Sequence, residues 1–164
     1  MSYLPGELFV RDTSLGYRIN YLGRLFTQAL YQRIASLGVV PGQFGQLLAF
    51  FEQDGLSQRE LCDQVRIEQP TMANTLQRME RDGLIRCELD PADGRRTRAL
   101  LTARARDLEG DLVAAAREVN AAASSGLSAA DVTAFLATMA VIIDNLDAAA
   151  GPATSPPPAA ALMG

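Results

Sequence analysis

Two short helical segments stand in tandem near the middle of the chain, and a strand–loop–strand pattern follows them directly. Ser57 and Glu60 have the spacing of a capping box, in which a hydroxyl and a carboxylate satisfy each other's backbone donors at the start of a helix. A second helix is predicted over residues 69–82, where Pro70 suits the first turn because its missing N–H is not needed there. This order of elements is typical of a helix-turn-helix followed by a wing.

The second of these helices has two distinct faces. Met72, Leu76 and Met79 recur at spacings of four and three residues, which predicts that they pack inward. The adjoining face carries groups suited to base edges and phosphates, namely Thr71, Asn74, Thr75 and Arg78. Gln69 and Pro70 occupy the N-terminal end, which in such helices usually enters the major groove. An ordinary solvated surface has the same composition, so this face alone leaves both interpretations open.

The wing is predicted as two strands, residues 85–89 and 97–101, joined by the basic loop Asp90-Pro91-Ala92-Asp93-Gly94-Arg95-Arg96. This loop is longer than a plain hairpin needs. It places two guanidinium groups at a projecting tip, with Asp93 close enough to orient one of them. Such a tip can enter the minor groove of DNA, whose negative potential attracts arginine. The same residues form a good turn, but their position after a two-faced helix favours DNA binding.

Charge is distributed unevenly along the chain, whose net charge is −4. Residues 59–106 carry ten arginines and eight acidic residues, a net charge of +2, whereas residues 107–164 carry one arginine and seven acidic residues, a net charge of −6. Phosphate binding depends on the local field and not on the total charge. The partition therefore favours a DNA contact in the middle of the chain.

Catalytic and metal chemistry have little support in the composition. The chain contains no histidine, and its two cysteines, Cys62 and Cys87, lack a CxxC spacing. The usual zinc sites and Ser/His/Asp or Cys/His catalytic sets are therefore excluded. We expect no enzyme activity, no metal and no cofactor. We also expect both cysteines to be buried or half-buried, with a redox role left open.

Helical segments flank this central region on both sides. The periodicity predicts a long amphipathic helix over residues 14–37, a short helix after Pro41, a helix over residues 102–123 and a last one capped by Ser128. From Gly151 the chain is rich in Pro and Ala without periodicity, which predicts a disordered tail. No uninterrupted apolar run approaches the roughly 18 residues of a membrane span, and the N-terminus lacks the features of a signal peptide. We therefore expect a cytoplasmic protein without membrane contact.

Three segments resemble the MarR family of bacterial transcriptional regulators, and the similarity spans about residues 14–148. The segments are LSQREL (56–61), QPTMANTLQRMERDGLI (69–85) and DPADGRRTRALLT (90–102). The resemblance implies a mainly α fold with a small β-wing. In it, an N-terminal segment with a long helix (1–40) and C-terminal helices (102–150) form a dimerisation region around a winged helix-turn-helix domain (41–101). The disordered tail (151–164) completes this division.

The resemblance also implies which residues contact DNA. Thr71, Asn74 and Arg78 align with groove-facing positions of the family, and Asp93 and Arg95 align with its wing pair. Pro70 stands where the family more often has serine, so one hydroxyl contact is missing. The complete set of expected DNA-binding residues is Ser57, Gln69, Pro70, Thr71, Asn74, Thr75, Arg78, Asp93, Arg95, Arg96 and Arg98.

The expected function is therefore a sequence-specific regulator of transcription, a repressor, that binds a pseudo-palindromic operator in double-stranded DNA as a homodimer. Small aromatic or phenolic effectors bind many members of this family, which implies an effector of this kind here as well. Tyr17, Tyr21, Phe44 and Phe51 line either an effector cleft or the core, and the sequence leaves both open. The alternative function is a winged-helix module that docks onto proteins without binding specific DNA. The operator, the effector and the regulated genes are not evident from the sequence.

Overall fold

The computed structural model describes residues 11–150, which form seven α-helices and one small antiparallel sheet. The predicted disordered tail at 151–164 and the first ten residues lie outside this described part. In chain order the elements are α1 (Leu15–Ile34), a 3₁₀ turn (Ala35–Leu37), α2 (Pro41–Glu52), β1 (Leu56–Ser57), α3 (Gln58–Val65), α4 (Gln69–Arg81), β2 (Ile85–Asp90), β3 (Asp93–Leu101), α5 (Ala103–Asp107), α6 (Glu109–Ala123) and α7 (Ala129–Ala150). A short 3₁₀ turn (Arg11–Thr13) precedes α1.

The first helix begins and ends at recognisable caps. The Ser14 hydroxyl accepts a hydrogen bond from the Tyr17 N–H at 3.3 Å, which satisfies one of the free donors at the start of α1. Gly38 adopts a left-handed conformation (φ +70°) after the final turn, as expected for a helix stop. The predicted helix over 14–37 is therefore confirmed, except that its last three residues tighten into a 3₁₀ turn.

The core lies where α2, α3, α4 and the sheet meet. Leu47, Phe50, Leu61, Met72 and Leu84 are almost completely buried. Burial of apolar surface stabilises a fold by about 25 cal/mol per Å², so these side chains contribute substantially to the stability of the helix-turn-helix. The three-stranded sheet, in the order β1-β3-β2, closes one side of this core.

The helix predicted over 102–123 is broken at Leu108 into α5 and α6. Next to this break, Arg104 donates hydrogen bonds to the carbonyl oxygens of Asp82 at 2.8 Å and Leu37 at 3.0 Å. A single guanidinium group thus connects α5 to the residues that directly follow α4 and α1. Its five donors in a fixed fork suit such a role.

The last helix, α7, leaves its apolar face uncovered in the described chain. Ser128 and Asp131 form its N-terminal capping box, with the Asp131 carboxylate accepting from the Ser128 N–H at 2.9 Å. No side chain between residues 129 and 149 is buried. Seven apolar side chains recur every three or four residues along one face of this helix, namely Val132, Phe135, Leu136, Met139, Ile142, Ile143 and Leu146.

By length and mean hydropathy alone, residues 129–149 are also sufficient to cross a membrane, as is the bent pair α1–α2 if it is counted as one span. This differs from the sequence expectation, which considered only uninterrupted apolar runs. Aspartates and threonines interrupt α7 without lowering its average hydropathy below that of a span. Apart from Val141, its large apolar side chains nevertheless lie on one face, an arrangement typical of a helix that packs against protein.

Candidate nucleic-acid interface

The first helix of the helix-turn-helix, α3, begins at the predicted capping box. The Ser57 hydroxyl accepts from the Glu60 N–H at 3.3 Å, and the Glu60 carboxylate accepts from the N–H and the hydroxyl of Ser57 at 2.7 and 2.6 Å. These hydrogen bonds stabilise the ionised carboxylate and lower the pKa of Glu60 below its usual value, with a smaller contribution from the positive charges of Arg96 and Arg98. The cap therefore fixes α3 and already occupies the Ser57 hydroxyl.

The turn between α3 and α4 depends on an unusual backbone conformation. Arg66 is left-handed (φ 54°, ψ 48°) and is the only residue other than glycine with a positive φ among residues 11–150. Its guanidinium lies 3.3 Å from the carboxylate of Asp147 on α7. The turn that sets the angle between the two helices is thus in direct contact with the last helix.

The second helix, α4, has the two faces that its sequence predicts. Met72, Leu76 and Met79 are buried against the core. Thr71, Asn74 and Arg78 are exposed on the adjoining face. Thr75 is half-buried, and its hydroxyl donates to the Thr71 carbonyl at 2.9 Å, so only its acceptor lone pairs remain free. We refer to α4 as the recognition helix.

The N-termini of α3 and α4 are joined by their first residues. Gln58 Nε2 lies 3.1 Å from the backbone oxygen and 2.7 Å from the side-chain Oε1 of Gln69. Gln58 is not among the DNA-binding residues predicted from the sequence. Its position directly after the Ser57 cap was the only available signal, and that position does not specify a partner eleven residues away.

The β2–β3 hairpin, which we call the wing, differs from the prediction in the length of its loop. Asp90 pairs with Asp93 across a two-residue turn, Pro91–Ala92, and a register irregularity lies at Leu89/Asp90. The Asp90 carboxylate accepts from the Ala92 N–H at 2.9 Å, which stabilises the tight turn. The predicted seven-residue basic loop is therefore wrong, because β3 already begins at Asp93.

The arginines of the wing consequently lie along a strand and not at a loop tip. Successive side chains of a strand point to opposite faces, so Arg95 shares a face with Thr97 and Ala99, while Arg96 and Arg98 share the other. Arg95 is exposed, and its guanidinium has no partner within residues 11–150. Arg96 Nε lies 3.4 Å from an Asp93 carboxylate oxygen, so the expected orienting carboxylate is present.

Arg98 is held within the fold. Its Nε donates to the Gly55 carbonyl at 2.7 Å, and its side chain lies 3.6 Å from the Asp90 carboxylate. This contact fastens the short strand β1, which pairs Leu56 with Ala99 and Ser57 with Arg98. The structure thus brings Gln69, Thr71, Asn74 and Arg78 together on the recognition helix, whereas Ser57 and Arg98 are engaged in contacts inside the protein.

A groove of about 370 Å³ separates the recognition helix from the wing and is lined in part by Asn74, Gln77, Cys87 and Thr97. Cys87 is exposed there and Cys62 is buried, so the expectation of two buried or half-buried cysteines is wrong for Cys87. The reason is that α4 covers strand β2 only in part. Desolvation by the surrounding protein and the nearby Glu80 carboxylate raise the pKa of the Cys87 thiol, which disfavours the reactive thiolate. Among residues 11–150, no three His, Cys, Asp or Glu side chains are placed to hold a metal ion.

Two further cavities flank α1. An open groove of about 810 Å³ is lined in part by Ile19, Arg24 and Tyr31. A smaller cavity of about 310 Å³ lies between α1, α2 and α6 and includes Phe26 and Phe44. Of the four aromatic residues considered above, only Phe44 lines one of these two cavities. Tyr17 and Tyr21 are exposed, and Phe51 packs against the core.

The sequence of this region matches that of a known protein family. The sequence model of the MarR family matches residues 37–96. The HTH-type transcriptional regulator TtmR of Methylorubrum extorquens (strain PA1) is 26% identical over 140 residues, which cover 85% of this chain and 71% of that protein. Both matches include the helix-turn-helix.

Solved structures share the fold of the chain. A MarR transcriptional regulator from Methanosarcina mazei Go1 is 26% identical, with a TM-score of 0.71 over 80% of this chain and 94% of that one. A probable transcriptional regulator from Pseudomonas aeruginosa is 25% identical, with a TM-score of 0.74 over 80% and 98% of the two chains. BpsR of Bordetella bronchiseptica, whose DNA binding is regulated by 6-hydroxynicotinic acid, is 22% identical with a TM-score of 0.76 over 84% and 99%. These matches confirm the predicted winged-helix fold.

Proposed function

The chain belongs to the MarR family of transcriptional regulators, and on this premise we propose that it is a homodimeric repressor that binds a pseudo-palindromic operator and is released by a small aromatic effector. The observation that carries the proposal is the exposed polar face of the recognition helix beside an arginine-bearing wing. Together these elements are suited to contact one major groove and the adjacent minor groove of double-stranded DNA.

On the recognition helix, each residue of the predicted contact set has a role in the proposed complex. Asn74 forms a bidentate contact with adenine, and Arg78 contacts guanine or a phosphate. Thr71 and Thr75 approach base edges or thymine methyl groups. Gln69 and Pro70 enter the groove first, because they occupy the N-terminal end of α4.

On the wing, Arg95 is the principal contact with DNA. Its guanidinium is exposed and unpaired in the described chain, so it is free to enter the minor groove or to meet a phosphate. Asp93 supports it, since the Asp93 carboxylate accepts from the Arg95 backbone N–H at 3.1 Å. Arg96 contributes positive charge, whereas Arg98 and Ser57 act through the structure of the wing and of the α3 cap.

The proposal of a homodimer rests on uncovered apolar surface. On α7, Phe135 is 50% exposed and Leu146 is 65% exposed. On α1, Leu15 and Ile19 lie outward although they continue the apolar face that is half-buried further along the helix. A second copy of the chain buries these faces, and the two-fold symmetry of such a dimer matches the symmetry of the operator.

Release by an effector is supported by the cavities next to α1. Aromatic and aliphatic walls with one cationic side chain, Arg24, suit a small aromatic acid. Arg24 and Tyr31 both line the larger groove, so a planar anion bound there would meet both a positive charge and an aromatic ring. A ligand that favours one spacing between the two winged helix-turn-helix domains of the dimer over another shifts the population of dimers away from the DNA-bound form. The protein acts in the cytoplasm, on chromosomal DNA, and is not an enzyme.

The test uses the purified full chain. We expect it to select a recurrent two-half-site sequence from fragments of its source genome, to bind that duplex in a fluorescence anisotropy titration, and to release it when a small aromatic acid is added. A protein that binds all duplexes equally, or none, contradicts the proposed regulator and favours a winged-helix docking module. A control duplex with one half-site scrambled tests the dimer, because it is expected to bind much more weakly.

A further inference from the structure

The first residues of α3 and α4 are connected through one amide nitrogen. Gln58 Nε2 donates to the Gln69 backbone oxygen at 3.1 Å and to the Gln69 side-chain oxygen at 2.7 Å. Gln58 is half-buried and Gln69 is exposed. A side chain that is partly protected from solvent therefore holds a side chain at the outer end of the recognition helix.

The first contact fixes which end of the Gln58 amide points towards Gln69. A backbone carbonyl oxygen can accept a hydrogen bond but cannot donate one. The group of Gln58 next to it must therefore be the NH₂ group. Because the same nitrogen also lies 2.7 Å from the Gln69 side chain, the Gln69 atom facing it must be an acceptor, which is its Oε1.

This arrangement leaves the donor end of Gln69 turned away from Gln58. Within residues 11–150, no protein group accepts a hydrogen bond from Gln69 Nε2. The residues on either side of Gln69 offer no competing group at this end of the helix. Pro70 has no backbone N–H, and the Glu68 side chain makes no capping hydrogen bond. Gln69 consequently offers two N–H donors at the end of α4 that approaches the major groove.

We propose that Gln58 is a positioning residue that sets the hydrogen-bonding polarity of Gln69, so that Gln69 acts as a donor and selects guanine over cytosine at one position of each half-site. The inference rests on the proposed DNA binding. In the major groove guanine presents the acceptors N7 and O6, whereas cytosine presents the donor N4–H₂. A fixed amide donor therefore matches guanine and repels the cytosine edge.

The test compares base preferences and not only affinities. Wild type, Gln58→Ala, Gln58→Glu and Gln69→Ala are each used to select duplexes from a library randomised within the half-site. Wild type is expected to prefer guanine over cytosine at the Gln69 position by about fivefold or more, the discrimination of one well-placed contact. Gln58→Ala frees the Gln69 amide and should reduce this ratio to below about twofold. Adding Gln58→Ala to Gln69→Ala should change nothing further.

The Gln58→Glu variant gives the most specific test, because it is expected to change which base is preferred. A carboxylate at position 58 can only accept hydrogen bonds, so it turns Gln69 Nε2 inward and presents Oε1 to the groove. The preference should then shift from guanine to bases with an amino donor, cytosine or adenine. Gln77→Glu places the same added charge on an exposed position of α4 and should weaken binding without changing the base preference.

Three possible results distinguish failure of the proposed function from failure of the inference about Gln58. If wild type selects no sequence, the proposed function is wrong and the inference falls with it. If wild type selects an operator but the Gln58 variants keep its base preferences, the inference alone is overturned. Equal weakening for all duplexes, together with a lowered thermal unfolding midpoint, would indicate that Gln58 has a purely structural role and would also overturn it.

Discussion

Arg98 donates a hydrogen bond from its Nε to the backbone carbonyl of Gly55 at 2.7 Å. Gly55 has a positive φ of +76°, and a Cβ at this position would meet the Arg98 guanidinium at 2.7 Å. The two residues thus depend on each other, one supplying a carbonyl in a turn that favours glycine and the other a rigid cation. The contact distinguishes Arg98 from Arg95, three residues earlier on the same strand.

Replacement of Arg98 by alanine should therefore destabilise the fold. We expect the free energy of unfolding to fall by about 1–2 kcal/mol, somewhat less than is usual for hydrogen bonds to charged groups, because the side chain is partly exposed. Urea unfolding followed by circular dichroism measures this change. Arg95→Ala is the matched control and should leave stability within about 0.5 kcal/mol of wild type. Equal stability of the two variants would contradict the structural role of Arg98.

Replacement of Arg95 by alanine should instead weaken DNA binding. If the guanidinium meets a phosphate, its loss reduces affinity for all sequences and lowers the slope of log K against log salt by about one unit. Anisotropy titrations at several salt concentrations measure both quantities. Arg117→Ala removes the same charge from the exposed surface of α6 and serves as the control. An unchanged affinity and salt slope for Arg95→Ala would show that this part of the wing does not contact DNA.

Replacement of Asn74 by alanine should relax base preference while leaving the salt slope unchanged. A bidentate amide–adenine contact discriminates against other bases by about 1–3 kcal/mol. We expect this difference between the selected operator and a duplex substituted at that base pair to disappear in the variant. The comparison requires Kd values for both duplexes with both proteins. A variant that discriminates as well as wild type would exclude Asn74 as the residue that recognises this base pair.

The capping box of α3 should make stability depend on pH. Folding lowers the pKa of Glu60 below its ordinary value, mainly through the hydrogen bonds from Ser57. The resulting stabilisation is complete above that ordinary value and is lost as the pH falls through the lower pKa of the folded protein. In a Glu60→Gln variant, the uncharged amide side chain still accepts from the Ser57 N–H. The variant should be less stable than wild type near about pH 7, and the difference should shrink below about pH 4; a difference that stays constant would contradict this account.

Charge on the apolar face of α7 should prevent self-association. Phe135→Glu places a carboxylate on the face that the proposed dimer buries, where an unpaired charge is costly. We expect a monomer by size-exclusion chromatography with light scattering, or a chain that unfolds at lower temperature. Ala137→Glu adds the same charge on the opposite side of the helix, about 200° away at 100° per residue, and should remain a dimer. A dimeric, fully stable Phe135→Glu protein would exclude this face from the interface.

Much of the helical fold is predictable because its signals are local. Ser14, Ser57 and Ser128 start helices through contacts with residues three positions away, and the buried residues of α4 recur at the helical period. The start of β3 is not predictable in this way. Residues 93–97 are polar and exposed on both faces, so no hydrophobic alternation marks them as a strand. The pairing of β1 with β3 joins residues more than forty positions apart, which no local pattern indicates.

The same difference between local signals and long-range contacts applies to the candidate site. The exposed face of the recognition helix follows from spacing alone. The different situations of Arg95 and Arg98 do not, because they depend on whether a carbonyl forty-three positions earlier, that of Gly55, lies within reach. Gln58 was missed for a similar reason, since its significance comes from a contact with the next helix and not from its own neighbours in sequence.

The left-handed backbone of Arg66 also affects which substitutions the turn between α3 and α4 can accept. A residue with a Cβ pays about 1–2 kcal/mol for this conformation, a cost that glycine avoids. Glycine would relax the turn but remove the guanidinium that contacts Asp147 on α7, and an exposed ion pair of this kind contributes at most about 1 kcal/mol. Drift towards glycine at position 66 would therefore preserve or even raise stability while uncoupling the recognition helix from the C-terminal helix. Such a substitution would remove the contact between this turn and Asp147 on α7 without any loss of folding.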